Sequence, residues 1–362
     1  MKHISIYLKD TYYDPASYYR IIQYFNDLNS DKYNIKYRIQ LKKKEYEKFM
    51  PISKQTLVIK IYFELLFCIR TFFYLLSDLF FRKDYLILSR RFVNRIMPFV
   101  FKILLSLILK RGTKLYWDFD DHIIESREVT RSIFDYLSDK ATAIIVTHDF
   151  LKNLVLNCYK DKVFILPTTD GEVYKKLTDS NTRLESLCNE IRIIWLGTSV
   201  NLQFVKPIIP VLDKFANELS KKVILSIVSN EELSVKTNNL IIENVKWSRE
   251  IATEYILKSH IGIMPLIDSE FVKGKGGFKL IQYMSGALPV IGSNVGFNKD
   301  VIDSSCGFLL DDMYEYSQLK NAVFSLSDLK SWTTYSENAL KNYELRFSYI
   351  KNLIFWKELL ER

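Results

Sequence analysis

The residues best suited to chemistry are concentrated in residues 265–310, PLIDSEFVKGKGGFKLIQYMSGALPVIGSNVGFNKDVIDSSCGFLL. There Lys273, Gly274, Lys275, Gly276 and Gly277 form a Gly-Lys run directly before a helical pattern that starts near Phe278 and ends at Gly286. Glycines in that position let the backbone approach a ligand closely. The unpaired N–H groups of the first helical turn, aligned with the helix dipole, favour a phosphate. Lys275 and Lys279 add positive charge on the same side. Gln282 follows one turn inside the helix, where it can meet a nucleoside whose phosphates rest at the helix start. By itself such a run is equally compatible with a turn that merely joins two elements.

A second group closes a predicted strand: Asp118, Asp120, Asp121 and His122. Carboxylates there lie at the sheet edge where α/β proteins bind ligands. An Asp-x-Asp pair can hold a divalent cation, line a substrate, or cap the helix that follows. His148 sits between a strand and a helix, where an imidazole can orient or protonate a substrate hydroxyl, or simply open the helix. Arg20, on the first turn of the first helix, can meet a phosphate or remain a solvated surface charge. His3 and His260, in or beside strands, read as structural.

The elements that must position these residues alternate. Strand patterns occur at residues 3–8, 35–40, 85–88, 114–118, 143–146 and 163–166, with helical patterns at 18–28, 57–80, 96–109, 132–137 and 149–156 between them. This is the signature of βαβ units and a mostly parallel sheet. A polar, turn-rich break at 167–181 precedes a second series of strands at 191–196, 223–228, 240–243, 261–265, 289–293 and 307–310. Residues 329–362 read as one or two helices. The expectation is an α/β chain of two Rossmann-like domains, residues 1–170 and 181–340. Residues 341–362 form a final helix that either packs back toward the first domain or caps its own sheet.

Residues 265–310 resemble the nucleotide-sugar-binding region of glycosyltransferase family 4, retaining enzymes of the GT-B fold. The helix runs into GALPVIGSNVG (286–296) and then GFL (307–309), close to that family's G-x-P-V-V/I-x-S-x-x-G and G-F-L. Supporting matches are SYYR at 17–20, YWDFDD at 116–121, VFILPTTD at 163–170 and IIWLG at 193–197. Two features depart from the family. Its pair of glutamates eight positions apart reads Gly274 and Gln282 here, and its Arg and Lys after the first strand of the second domain are replaced by Gly197, Thr198, Ser199, Val200 and Asn201.

The resemblance implies two domains facing across a cleft and a nucleoside diphosphate sugar as donor, with no cofactor and no metal. The donor would rest on Gly197, Thr198, Ser199, Lys275, Gly276, Gly277, Phe278, Lys279 and Gln282, the hydroxyls and backbone N–H groups at 197–199 standing in for the missing cations. Tyr18, Arg20 and Asp120 would line the acceptor side, with His148 and Asp121 as catalytic candidates. The acceptor would be a glycan or lipid-linked glycan in surface polysaccharide synthesis. The alternative is a sugar-nucleotide-binding protein, epimerase or phosphorylase of the same fold.

Bulk properties agree with this picture and bound it further. The chain has 362 residues, a formal net charge of +9, 48% hydrophobic and 26% charged residues, globular proportions with an appetite for anionic partners. Basic residues are dispersed without an aromatic-basic recognition motif, so nucleic acid is not expected. The cysteines, Cys68, Cys158, Cys188 and Cys306, are too scattered for a disulfide framework or metal cluster. Residues 57–81 and 92–109 are apolar but punctuated by charges, and neither reaches the ~20 apolar residues of a spanning helix. They read as amphipathic helices, packed on the sheet or resting on an anionic membrane surface. A cytoplasmic location, at the inner face of the plasma membrane in the second case, is the expectation.

Overall fold

Runs such as YLILS (Tyr85–Ser89), AIIV (Ala143–Val146) and IGIM (Ile261–Met264) are buried along their whole length. Strands must be so when helices cover both faces of a parallel sheet. The computed structural model, which describes residues 1–49, 56–177 and 181–362, gathers them into two units. One comprises Met1–Thr168 with Ile350–Arg362, the other Thr169–Tyr349.

The first unit holds β1 (Lys2–Leu8), β2 (Tyr33–Ile39), β3 (Tyr85–Ser89), β4 (Lys114–Asp118), β5 (Ala143–Val146) and β6 (Val163–Ile165), in the order β2-β1-β3-β4-β5-β6. The second holds β7 (Glu190–Leu196), β8 (Lys222–Ser229), β9 (Ile241–Lys246), β10 (Ile261–Met264), β11 (Val290–Ser293) and β12 (Gly307–Leu310), in the order β12-β11-β10-β7-β8-β9. Every pairing is parallel. Strand order therefore reverses between β1 and β3 in one sheet and between β7 and β10 in the other. Ligands of open parallel sheets bind in the crevice beyond the strand ends at such reversals.

Local signals account for most helix boundaries. Thr56 accepts a hydrogen bond from the Ile59 N–H at the start of Leu57–Phe80, and Thr130, Ser248 and Asp328 cap the helices that follow them in the same way. Where sequence expectation and structure differ, a cause is visible. The helix expected from residue 96 begins at Phe99, because Pro98, which has no N–H to give, occupies the cap. The helix expected over 18–28 is a π-helical turn, Ser17–Ile22, followed by the short Gln23–Phe25. Short helices at Lys43–Phe49, at Glu270–Lys273 and, inside the polar break, at Gly171–Lys176 were not foreseen. The end of the polar break, residues 178–180, lies outside the described residues.

The π-helical turn carries Arg20 inward. Its guanidinium, 1% exposed, meets Asp118 at the end of β4 through Nε at 2.9–3.0 Å and Nη2 at 2.6 Å. Its Nη1 donates to the Leu166 carbonyl at 2.8 Å and to Thr168 Oγ1 at 3.0 Å. One side chain thus joins the first helical segment, the central strand and the segment following β6.

Beyond Leu329–Asn342 the chain makes a second π-helical turn, Tyr343–Phe347, and a helix, Tyr349–Glu361. From Ile350 onward it belongs to the first unit. Trp356 is fully buried edge-on to Phe25, with ring centroids 5.2 Å apart. The carbonyls of Leu360 and Leu359 accept from Tyr85 and Tyr116 at 2.6 and 2.7 Å. The two places where the chain passes between units are fastened on either side. Asn352 donates to the Pro167 carbonyl at 2.8 Å, and Tyr343 Oη donates to the Asp170 carbonyl at 2.9 Å.

Replacing Arg20 with Ala leaves the Asp118 carboxylate buried without its counterion and should cost about 3–5 kcal/mol. Urea unfolding followed by circular dichroism should show the loss. Arg20→Met combined with Asp118→Leu, which removes both charges, should lose less than the single change. An unchanged midpoint for Arg20→Ala would mean that the pair does not hold the unit.

Candidate functional site

The second unit's reversal lies beside the carboxyl ends of β7 and β10, which pair through Ile193–Ile261 and Ile194–Gly262. Gly262 admits the ring of Tyr283, since a Cβ there would lie 2.3 Å from a ring carbon. The Tyr283 hydroxyl accepts from the Leu196 N–H at 2.8 Å. Through that residue the helix Phe278–Ser285 is pinned across both strands, with its start at the crevice. Gly277 precedes it in the left-handed conformation, φ 61°, and a side chain there would also press on Val301. First-turn N–H groups of an α-helix are short of intrahelical acceptors, and here that of Leu280 is turned to the Gly277 carbonyl at 3.0 Å.

Two lysines stand at that start. Lys279 Nζ donates to Gln282 Oε1 at 3.2 Å, and Lys275 Nζ to Asn201 Oδ1 at 3.3 Å. Lys279 also lies over the Phe278 ring at 4.7 Å. Although part of the Lys279 side chain touches solvent, its ammonium end is desolvated. Burial pushes it down to about 8, with Asp170 opposing the shift and Lys275 adding to it. Asn201 also donates to Thr198 Oγ1 at 2.9 Å, so the loop after β7 and the Gly-Lys loop after β10 are joined by one asparagine.

Gln282 does not face outward as expected for a nucleoside ligand. It is 1% exposed and donates from Nε2 to Asp170 Oδ2 at 2.7 Å. Asp170 is itself fully buried, and its other oxygen caps Gly171–Lys176 by accepting from the N–H groups of Glu172 and Val173. Burial raises the Asp170 carboxyl above its ordinary range, against the stabilising hydrogen bonds of Gln282, Val173 and Glu172. The amide at position 282, where the resembling family carries a glutamate, has a physical reason. A carboxylate at position 282 would confront that of Asp170, whereas an amide donates to it.

The loop after β7 also differs from expectation. The Gly197 N–H is taken by the Val228 carbonyl at 3.2 Å and the Ser199 N–H by Asn230 Oδ1 at 2.8 Å. Ser199 Oγ in turn accepts from Asn230 at 3.2 Å. These two N–H groups are engaged within the protein, because the β7–β8 ladder continues one residue further and Asn230 caps the turn. Gly197 is required sterically: a Cβ would lie 2.5 Å from the Trp195 ring. Gly276 is buried beside Gly277.

In the first unit the reversal between β1 and β3 is lined by Lys9, Asp14, Gln40, Ser89, Arg90, Arg91 and Glu128. Arg90, in the left-handed conformation at φ 58°, directs Nε to Asp120 at 2.9 Å, Nη2 to Asp121 at 2.7 Å and Nη1 to Glu128 at 2.8 Å. Glu128 also pairs with Arg91. Burial raises the Asp120 carboxyl and Arg90 opposes the rise. Burial also lowers Arg91 to about 10, helped by the neighbouring Arg90 charge. Asp118 and Asp120 thus face different arginines.

Arg20 is neither a solvated charge nor directed at an external phosphate, being enclosed by Asp118, Leu166 and Thr168. Tyr18 is half-buried, edge-on to Tyr19. His148 was expected to meet a substrate hydroxyl. It is 4% exposed, with Nδ1 2.7 Å from Thr147 Oγ1 and its ring parallel to Phe150. His260 is structural: Nδ1 accepts from the Arg192 N–H at 2.9 Å, Nε2 lies 3.0 Å from the Arg183 carbonyl, and burial lowers it to about 4. Sequence reasoning gave no site role to Arg90, Asn201 or Asn230, and did not foresee the pairing of Asp170. Only Asp170 left a signal, an Asp-Gly step opening a helix.

No protein-family profile matches the chain, and no curated protein matches it. Its fold is nevertheless that of solved proteins. Anabaena HepE in complex with UDP and glucose superimposes with a TM-score of 0.68 at 11% identity, with all of both chains covered. A glycosyltransferase from Rickettsia africae gives 0.66 at 13% identity, covering 99% of this chain and 98% of that one. Sucrose-phosphate synthase from Thermosynechococcus elongatus gives 0.64 at 10%, covering 100% and 98%. The architecture of the chain is that of the GT-B fold, two parallel α/β domains.

Proposed function

We propose that the chain transfers a sugar from a nucleoside diphosphate sugar to a glycan or lipid-linked glycan acceptor in the synthesis of a bacterial-type surface polysaccharide. Retention at the anomeric carbon follows from the resemblance of residues 265–310 to glycosyltransferase family 4. The observation that carries the proposal is the pair Lys275 and Lys279 at the start of Phe278–Ser285, at the β7/β10 reversal. The complex of the similarly folded HepE with UDP and glucose supports it.

Negative charge grows on the diphosphate as its bond to the sugar breaks. Preorganised N–H groups and ammonium groups lower that barrier because they need no rearrangement at the moment of reaction. Lys275 and Lys279, at the start of the helix Phe278–Ser285, supply that field. Gln282 acts indirectly in this reading, holding Lys279 through Oε1 while Asp170 holds its amide. Asp121, whose side chain is 33% exposed, remains the catalytic candidate, and Tyr18 and Asp120 remain on the acceptor side. Arg20 and His148 are withdrawn from the site, since both are enclosed.

Calorimetry with UDP and GDP tests the donor site. Lys279→Ala should weaken diphosphate binding by about 1.5–3 kcal/mol, the usual worth of a hydrogen bond to a charged group. The pH dependence has a definite sign. Lys279, lowered to about 8, is charged below that pH and neutral above it. Affinity should therefore be level below pH 8 and fall above it, by up to about tenfold per pH unit. Lys279→Arg, which stays protonated, should flatten the profile. Equal affinities for wild type and Lys279→Ala would overturn the donor assignment. Release of nucleoside diphosphate on transfer separates this reading from an epimerase, which returns the sugar nucleotide intact.

Because Asp118 and Asp120 face Arg20 and Arg90, turnover should persist in EDTA. Activity abolished by the chelator and restored by Mn²⁺ or Mg²⁺ would reverse the assignment of these carboxylates.

A further inference from the structure

Amphipathic helices on a sheet ordinarily turn their apolar stripe inward and their polar stripe to water. Leu57–Phe80 buries Phe63, Phe67, Thr71, Leu75 and Asp78, yet its opposite stripe is not polar. Val58, Ile61, Leu65, Ile69, Phe73 and Phe80 recur at intervals that mostly return to one side of the helix, and all are exposed, Val58 by 75%. The neighbouring Phe99–Lys110 repeats the arrangement with Phe99, Val100, Ile103 and Leu107, Phe99 being 76% exposed. More than half of the exposed large apolar side chains among the described residues lie between residues 57 and 107. Scattered exposed apolar residues need no explanation, but a continuous face on two adjacent helices does.

The exposed charges of residues 57–110 have one sign. Lys60, Arg82, Arg95 and Lys110 are exposed. The acidic residues of the same stretch are not: Asp78 is buried against Arg38 and Tyr7, Asp84 accepts from the His3 N–H, and Glu64 is half-buried. An apolar face on a segment whose exposed charges are cationic fits a surface that is apolar within and anionic at its boundary, as a bilayer carrying acidic lipids is. Nucleic acid would leave the apolar face in water. The longer helix, at about 1.5 Å per residue, extends over roughly 36 Å, and none of the described helices is long and apolar enough to cross a membrane.

We infer that the face formed by Leu57–Phe80 and Phe99–Lys110 docks onto an anionic membrane surface, with both helices lying in its plane. The inference rests on the first unit alone and stands whether or not the transferase proposal does. Its consequence for that proposal is that a lipid-linked acceptor would be met at the bilayer surface.

Flotation of the full chain with vesicles tests it. With about one part phosphatidylglycerol to three parts phosphatidylcholine the protein should float. With phosphatidylcholine alone, or in high salt, the bound fraction should fall about fivefold or more. Ile69→Asp combined with Phe73→Asp should reduce binding about tenfold, with circular dichroism and melting temperature unchanged because both positions are exposed. Arg82→Gln with Lys110→Gln should weaken binding to the anionic vesicles. Two results would overturn the inference: no flotation with either vesicle, or a dimer in light scattering that the Ile69→Asp, Phe73→Asp variant dissolves, which would make a second copy the occupant. Nucleotide calorimetry on the same variants keeps failure here distinct from failure of the donor site.

Discussion

Burying a carboxylate is costly unless its oxygens are hydrogen-bonded, and both oxygens of the Asp170 side chain in the second unit meet that demand. One oxygen closes the N-terminus of Gly171–Lys176 and the other holds the Gln282 amide, while the backbone carbonyl of the same residue receives Tyr343. Each bond is worth little alone, but loss of one leaves a charge without solvent or partner, which costs more than the bond contributes. Gln282 is thereby fixed in one orientation, and its Oε1 is turned to Lys279. The ammonium that the donor would meet is positioned by a carboxylate it does not touch.

The two strand-order reversals differ in electrostatic character, although the same topology produces both. In the first unit Arg90 faces Asp120, Asp121 and Glu128, so its charge is answered by the protein. In the second unit Lys275 and Lys279 donate to amide oxygens. The printed partners of the basic side chains are thus carboxylates at the first reversal and amide oxygens at the second.

Much of the fold was legible because a parallel sheet writes itself locally. Short apolar runs such as AIIV and GFLL mark strands at their observed limits, and Leu57–Phe80 was read to the residue from its periodicity. The helix start at Phe278 and its end before Gly286 followed from the same kind of signal. What escaped depends on partners far apart in the chain. Nothing near Arg20 announces Asp118, 98 residues away, and nothing near Gln282 announces Asp170, 112 residues away. Without those partners a surface charge and a ligand-facing amide are the reasonable expectations. Long-range pairing turned both inward, and in the first case a π-helical turn accompanies it. The apolar residues of 57–109 were legible as such, but which of them face outward is decided by the sheet that the buried stripe covers.

The return of residues 350–362 to the first unit has a consequence for how the protein is made. Domains usually fold in the order in which the ribosome releases them. Here the earlier unit reserves part of its interior for Trp356 and for the carbonyls that Tyr85 and Tyr116 seek. Until residue 356 has been made that interior stays open, with aromatic surface uncovered, although every residue of the intervening unit, Thr169–Tyr349, precedes it in the chain. The unit begun first thus cannot finish its packing until the helix Tyr349–Glu361 has been made.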